Sequence, residues 1–306
     1  MPKAVTLPTT PVRVRVPAKI NLHLGVGPGR GDGFHELRTV FQAVDLYDEV
    51  VARPASGLEI SVSGEQADTV PADSGNLAWR AASLLAEHAQ VAPHARIEIT
   101  KAIPVAGGMA GGSADAAGAL VACAELWRTG SSRTELAQLA ANLGSDVAFC
   151  LVGGTALGTG RGEVLAPVLS TGTFWWTLAF ADFGISTAEA YAELDRQRGA
   201  TPSVLHPADG LLDALRAGDT MALAHSLTND LQAAALSLRP VLRKTLAAGR
   251  DLGALASIVS GSGPTCAFLA EDAEDAERLA AAMTGAEGCR STRVVCGPVP
   301  GARVAR

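Results

Sequence analysis

The run Pro104, Val105, Ala106, Gly107, Gly108, Met109, Ala110, Gly111, Gly112, Ser113 and Ala114 carries the clearest chemical signal in the chain. Two glycine pairs stand between an alternating stretch ending at Lys101 and an apolar stretch with helical spacing from Ser113. Glycines there let backbone N–H groups close on an anion, and the dipole of the following helix adds favourable charge. The chemistry this suggests is phosphate cradling. No Gly-Lys-Ser/Thr of a Walker loop occurs in the chain, and the run does not complete the dinucleotide fingerprint. Taken alone, the run also fits a loop that merely turns a strand into a closely packed helix.

Phosphoryl transfer needs positioning, charge neutralisation and a group that accepts the nucleophile's proton. Asp146 lies in Gly144-Ser145-Asp146-Val147-Ala148-Phe149-Cys150, beside an apolar run. Restricted hydration there favours proton acceptance. On the residues alone the better reading is a helix cap, with Ser145 or Asp146 starting the segment that holds Val147 and Phe149. Lys19, between Ala18 and Ile20, reads alone as a strand-edge charge. Asn21 falls on the same side of an extended strand. Phe34 and His35 follow a polar glycine loop, where an aromatic ring is wasted unless it covers something flat. Tyr191 fits equally an opposing ring or an ordinary helix-surface aromatic. Asp115 suits the dipole of its helix, and its nearness to the glycine run leaves a Mg²⁺ role open. Arg161 and Glu163 read as a loop ion pair.

These groups need a scaffold. Strict alternation predicts strands over Val12–Val16, Leu58–Val62 and Ala95–Ile99. Pro17 interrupts the first, which resumes over Ile20–Val26 before a glycine loop at 27–33. Helical spacing predicts Leu77–Ala89, with Ser74 as its cap, then Ser113–Arg128 and Thr134–Leu143. After a change of pattern near Pro167 come strand Phe174–Phe180 and helices Thr187–Arg198, Ala208–Ala217, Thr220–Ala235 and Pro240–Leu252. Strands Ala256–Ser260 and Cys266–Ala270, helix Ala273–Met283 and strand Arg293–Cys296 close the chain in a split β-α-β pattern. The expectation is an α+β protein of two domains, 1–168 and 169–306.

The chain has 306 residues, 48% of them hydrophobic, which excludes disorder. A net charge of −6 excludes a general nucleic-acid binder. The five cysteines include no C-x-x-C pair, and His23, His88, His94, His206 and His225 form no metal pattern. Met1–Pro17 lacks the apolar core of a secretory signal, and no stretch reaches the roughly 20 apolar residues of a membrane span. A cytoplasmic monomer or homodimer is expected.

Three segments together resemble the GHMP kinase superfamily. Val16-Pro17-Ala18-Lys19-Ile20-Asn21-Leu22 resembles its first motif, and Pro104–Ala117 its second, written P-x-x-x-G-L-G-S/G-S-A/S. Val259-Ser260-Gly261-Ser262-Gly263-Pro264-Thr265-Cys266 resembles the third, a glycine loop that closes over the nucleotide. Three motifs in order over most of the chain make the resemblance specific. Asp32-Gly33-Phe34-His35-Glu36-Leu37, Phe41-Gln42 and Leu143–Phe149 narrow it to the members whose acceptor alcohol carries a cytidine diphosphate. Met109-Ala110 departs from the usual Leu-Gly, Ser113-Ala114 from a Ser-Ser, and Phe34 from a common Tyr.

The resemblance implies a nucleotide-binding N-terminal domain and a ferredoxin-like C-terminal one. It implies ATP with Mg²⁺, and transfer to the 2-hydroxyl of 4-diphosphocytidyl-2-C-methyl-D-erythritol in the non-mevalonate isoprenoid precursor pathway. It makes Asp146 the general base, Lys19 its charge partner and residues 104–114 the ATP loop. Asn21 would bind the methylerythritol portion, and Phe34, His35 and Tyr191 the cytosine; no residue is assigned to metal. Another acceptor of the superfamily, such as homoserine or mevalonate, is the nearest alternative. A non-catalytic nucleotide sensor should have lost Lys19 or Asp146, and both are present. A dinucleotide oxidoreductase lacks its fingerprint.

Overall fold

The computed structural model describes residues 10–199 and 203–305. In chain order the elements are β1 (Val12–Gly29), β2 (His35–Arg53), β3 (Leu58–Gly64), α1 (Leu77–Ala89), β4 (Ala95–Lys101), α2 (Gly111–Trp127), α3 (Arg133–Leu143) and α4 (Ser145–Val152). There follow β5 (Thr155–Thr159), β6 (Val164–Pro167), β7 (Phe174–Phe180), α5 (Thr187–Arg198), α6 (Asp209–Ala217), α7 (Thr220–Ser226), β8 (Thr228–Asn229) and α8 (Gln232–Leu238). The last six are α9 (Leu242–Asp251), β9 (Ala256–Val259), β10 (Cys266–Ala270), α10 (Ala273–Ala282), β11 (Ser291–Gly297) and β12 (Arg303–Val304).

One sheet runs β12-β1-β2-β4-β3, with β5 on β2, β6 on β5 and β8 on β1. The second runs β11-β7-β10-β9, all antiparallel. Its spatial order is fourth, first, third, second, the arrangement expected of a split β-α-β unit. The first sheet draws β8 and β12 from beyond residue 168, and one apolar core reaches from Val14 through Ile99 to Trp176 and Leu269.

Pro17 does not end the first strand. β1 runs through it, with register shifts against β2 at Pro17/Ala18, Asn21/His23 and Val26/Gly29. A proline has no N–H to place in the ladder, so it is accommodated at an irregularity. These shifts re-aim the side chains of residues 18–23, where Lys19 lies.

β2 follows no alternating pattern because Thr39–Val44 is buried on both faces. Such strands read as continuous apolar runs rather than as alternation. The cap of α1 is Asn76, which accepts from Ala78 N, and not Ser74. α3 has a full capping box between Ser132 and Glu135. The stretch expected as one helix over Thr220–Ala235 is α7, β8 and α8. The break is made by partners far away in sequence. His23 and Leu24 pair with β8, Thr228 Oγ1 meets His23 Nδ1 at 2.8 Å, and Asn229 Nδ2 donates to Val259 O and Gly261 O.

α2 is buried along almost its whole length. A Cβ on Gly118 would come within 2.6 Å of Val50 Cγ2 and 2.8 Å of Val16 Cγ2. Glycine there lets the helix lie directly on β1 and β2. That close approach brings the N-terminus of α2 beside Lys19. Burial raises the Cys123 and Cys266 thiols to about 12 and lifts Cys150 as well, so these three pack as small hydrophobes.

Candidate active site

Lys19 reaches out of the irregular part of β1 and is buried. Its Nζ donates to Asn21 Oδ1 at 2.6 Å and to Gly108 O at 2.8 Å. Asp146 Oδ2 stands 4.0 Å away. The Asp146 side chain is 36% exposed, so this carboxylate can meet a ligand. It occupies the first turn of α4, whose cap is Gly144 with no side-chain hydrogen bond. Neither Ser145 nor Asp146 caps the helix, and that competing reading of the segment falls.

Asn21 is buried, with both ends of its amide engaged. Its Nδ2 donates to Thr39 Oγ1 at 2.8 Å, and Thr39 Oγ1 donates to His23 O at 2.8 Å. This chain fixes which end of the Asn21 amide faces Lys19. The Phe41 ring lies 5.9 Å from Lys19 Nζ and packs on Phe149.

The glycine run turns from β4 into α2. Gly108 has φ +73°, and a Cβ there would sit 2.2 Å from Ser260 O. Only glycine fits. Ser260 Oγ donates to Gly108 O at 3.2 Å, and a Cβ on Gly261 would lie 3.1 Å from Asn21 Oδ1, Gly108 O and Lys19 Nζ. The three sequence motifs therefore meet around one ammonium. Ala110, in the place where the resemblance expects glycine, caps α2 at φ 62° and ψ 33°. Past it, Gly112 is exposed, and beyond its own helical turn nothing among the described residues lies within 4 Å of a Cβ position. The first N–H groups of a helix have no partner within it. Open backbone at a helix start is a cradle for phosphate oxygens.

Asp115, for which a Mg²⁺ role stood open, is buried and accepts from Lys101 Nζ at 2.7 Å. Its carboxylate faces inward rather than into the cradle. Among the described residues no three His, Cys, Asp or Glu side chains gather as a metal cluster.

A second group lies on the same rim. Phe34 is 52% exposed at the end of a turn held by Arg30 N to Phe34 O and Phe34 N to Asp32 Oδ1. The Arg161 guanidinium lies 4.9 Å from its ring centre. His35 stacks on Tyr191 with centroids 5.2 Å apart, and its Nε2 meets Asp195 Oδ1 at 2.9 Å. Tyr191 is thus not a free helix-surface ring. Burial raises its phenol above the usual range, and the charges of Asp146 and Asp230 add to the effect.

Arg161 and Glu163 do pair, at 3.8 Å. Their turn also joins the two groups. Gly160 O accepts from Leu37 N, and a Cβ on Gly162 would lie 3.4 Å from Ser145 Cβ. Sequence reasoning missed Asp195, Thr39 and the stacking role of Arg161. Asp195 was within reach, since it follows Tyr191 by one helical turn and shares its face.

Two family profiles match the chain: the GHMP kinases N terminal domain over residues 76–154 and the GHMP kinases C terminal over 211–288. A 4-diphosphocytidyl-2-C-methyl-D-erythritol kinase of Salinispora arenicola is 59% identical over 297 residues, 96% of this chain and 94% of that protein. One of Mycobacterium tuberculosis is 58% identical over 300 residues, 97% and 94% of the two chains. A crystal structure of a 4-(cytidine 5'-diphospho)-2C-methyl-D-erythritol kinase superposes with a TM-score of 0.76 at 33% identity, over 92% of this chain and 98% of that one. Mevalonate kinase of L. major shares the fold at a TM-score of 0.74 and 15% identity, over 98% and 99%. The chain therefore belongs to the GHMP kinase family, is a kinase, and has that family's α+β fold of N- and C-terminal domains.

Proposed function

We propose that the enzyme transfers the γ-phosphoryl group of ATP to the 2-hydroxyl of 4-diphosphocytidyl-2-C-methyl-D-erythritol, within non-mevalonate isoprenoid precursor synthesis. The observation that carries this reading is the convergence on Lys19. The Asp146 carboxylate, the glycine cradle and the third glycine run all lie within a few ångströms of its ammonium. The names of the relatives at 57–59% identity support the acceptor.

Asp146 takes the proton of the acceptor hydroxyl. The hydroxyl oxygen then bonds to the γ-phosphorus as the bond to the β-phosphate oxygen breaks, and ADP leaves with that oxygen's electron pair. Lys19 has three N–H donors. Two are held by Asn21 and Gly108, and the third serves Asp146 or the transferring group, where a preorganised charge counts most. Asn21 acts by aiming Lys19 and reaches the acceptor through that residue. The open first turn of α2 receives the triphosphate. Mg²⁺, bound chiefly through nucleotide and water as that ion prefers, would supply neutralisation of the phosphate charge.

Phe34 offers a face for the cytosine, and His35, backed by its stack on Tyr191, stands at the base edge. Asp195 holds His35 Nε2, which leaves Nδ1 for the base edge. Five free cysteines suit a reducing, cytoplasmic setting.

The test is ADP release with the cytidine acceptor, homoserine and mevalonate offered in parallel. Turnover confined to the cytidine acceptor supports the proposal. Preference for either small alcohol would leave a GHMP kinase with a different substrate.

A further inference from the structure

Behind the glycine cradle lies a charge cluster that the transfer step does not use. Lys101 ends β4, Asp48 belongs to β2 and Asp115 lies in the second turn of α2. All three are buried. Lys101 Nζ donates to Asp48 Oδ2 in a very short contact and to Asp115 Oδ2 at 2.7 Å. Asp48 Oδ1 accepts from Ala102 N at 2.6 Å and Ile103 N at 2.8 Å. Asp115 Oδ1 has no hydrogen-bond partner among the described residues.

An ion cluster of this kind is a poor source of stability. Desolvating three charges costs about as much as their attraction returns, and apolar residues of similar volume often do as well. Its geometry is more telling. Asp48 grips the two N–H groups that lead into the loop. Asp115 anchors the helix just past the loop's end. Lys101 joins them and lies 3.2 Å from where a Cβ of Gly111, the first residue of α2, would stand. The loop between holds Ala106 at φ 51° and Ala110 at φ 62°. Non-glycine residues there are strained and persist only where the surroundings over-determine them.

We propose that Lys101, Asp48 and Asp115 are positioning residues that clamp both ends of the strained 104–110 loop and thereby set its affinity for the nucleotide triphosphate. The proposal rests on the reading that this loop receives ATP. It predicts a split between the two substrates. Removing a clamp loosens the cradle and leaves the aromatic group proposed for the acceptor base, Phe34, His35 and Tyr191, as it was.

The carboxylates also differ in what they can lose. An Asp115→Asn amide still offers an oxygen to Lys101, and its NH2 group takes the place of the unpartnered oxygen. An Asp48→Asn amide that keeps its oxygen on Ala102 and Ile103 turns its NH2 group against the Lys101 ammonium.

The experiment measures the binding of ATP and of the cytidine acceptor separately by calorimetry, with KM values for both and thermal unfolding as a check on folding. Asp48→Asn should weaken ATP about 10-fold or more, a loss of about 1.4 kcal/mol. It should leave acceptor affinity within about twofold, and Asp115→Asn should stay within about threefold of the parent for both ligands. Asp115→Leu, which loses the oxygen as well as the charge, should match Asp48→Asn. If either severe variant fails to fold, Lys101→Met carries the same readout. Unchanged ATP affinity in a folded Asp48→Asn or Lys101→Met protein overturns the proposal, as does parallel weakening of both ligands. A parent that does not bind ATP refutes the underlying reading instead.

Discussion

Lys19 is held by Asn21 and Gly108, so in the proposed mechanism its charge needs no reorganisation during transfer. Lys19→Met keeps most of the stem and removes the charge. Turnover should fall about 100-fold or more. A change in substrate affinity alone would show that Lys19 only binds. Asp146→Asn keeps the shape of the side chain and loses the base. A fall of about 10²–10⁴-fold in turnover is expected, with folding intact. Turnover within a few-fold of the parent would reject Asp146 as the base. Lys19 and Asn21 were legible as neighbours on one strand face, but the burial of Asn21 was not. That depends on Thr39 of β2, and β2 gave no alternating signal.

The N-terminus of α2 separates stability from binding. Gly112 is exposed, helical and unobstructed, so alanine there improves helix propensity by up to about 1 kcal/mol. The same methyl group stands in the cradle. Gly112→Ala should therefore raise the unfolding temperature and also raise the KM for ATP. A higher unfolding temperature with unchanged KM would move the phosphates elsewhere.

The same helix carries a pH signature. Burial pushes the Asp115 carboxyl up to about 7; Lys101 opposes this and Asp48 adds to it. In Lys101, burial alone would depress the ammonium, but the two carboxylates outweigh it and hold it above its usual value. Cys150, buried nearby, feels both carboxylates and stays a thiol. A raised carboxyl gives stability that is present below its unfolded value, near 4, and lost as pH rises through about 7. Asp115→Asn lacks this loss. Denaturant titrations at pH 5 and pH 8 should show the parent losing on the order of 2 kcal/mol more than the variant. An equal loss in both would mean that Asp115 does not titrate in this range. The glycine run was readable because its spacing is local. The cluster behind it joins residues up to 67 positions apart, and no periodicity links them.

Elements from both halves of the chain border the acceptor site proposed above. β1, β2 and α4 bring Lys19, His35 and Asp146, while α5 brings Tyr191 and Asp195 and the turn after β9 brings Gly261. Most helices and the strands with strict alternation were legible in the patterning, but β2, β5, β6 and β12 were not. The divided helix at 220–238 was not, because His23 and Leu24 of β1 capture its middle as a strand. The aromatic group should make recognition depend on the nucleotide handle, since binding energy there positions the distant hydroxyl. Phe34→Ala should cost about 1–3 kcal/mol of acceptor affinity and leave ATP binding unchanged. Weakened ATP binding in this variant would place the ring on the wrong ligand.

Comparing kcat/KM for the cytidine acceptor with that for its uridine analogue, in the parent and in His35→Ala, shows whether the enzyme reads the cytosine of its acceptor. Uracil reverses the donor and acceptor pattern at position 4, so a tuned edge contact leaves polar groups unpaired at about 1–3 kcal/mol each. The parent should prefer cytidine by about 10-fold or more, and His35→Ala should lose part of that preference. Equal use of both bases by the parent would contradict the cytidine-diphosphate acceptor.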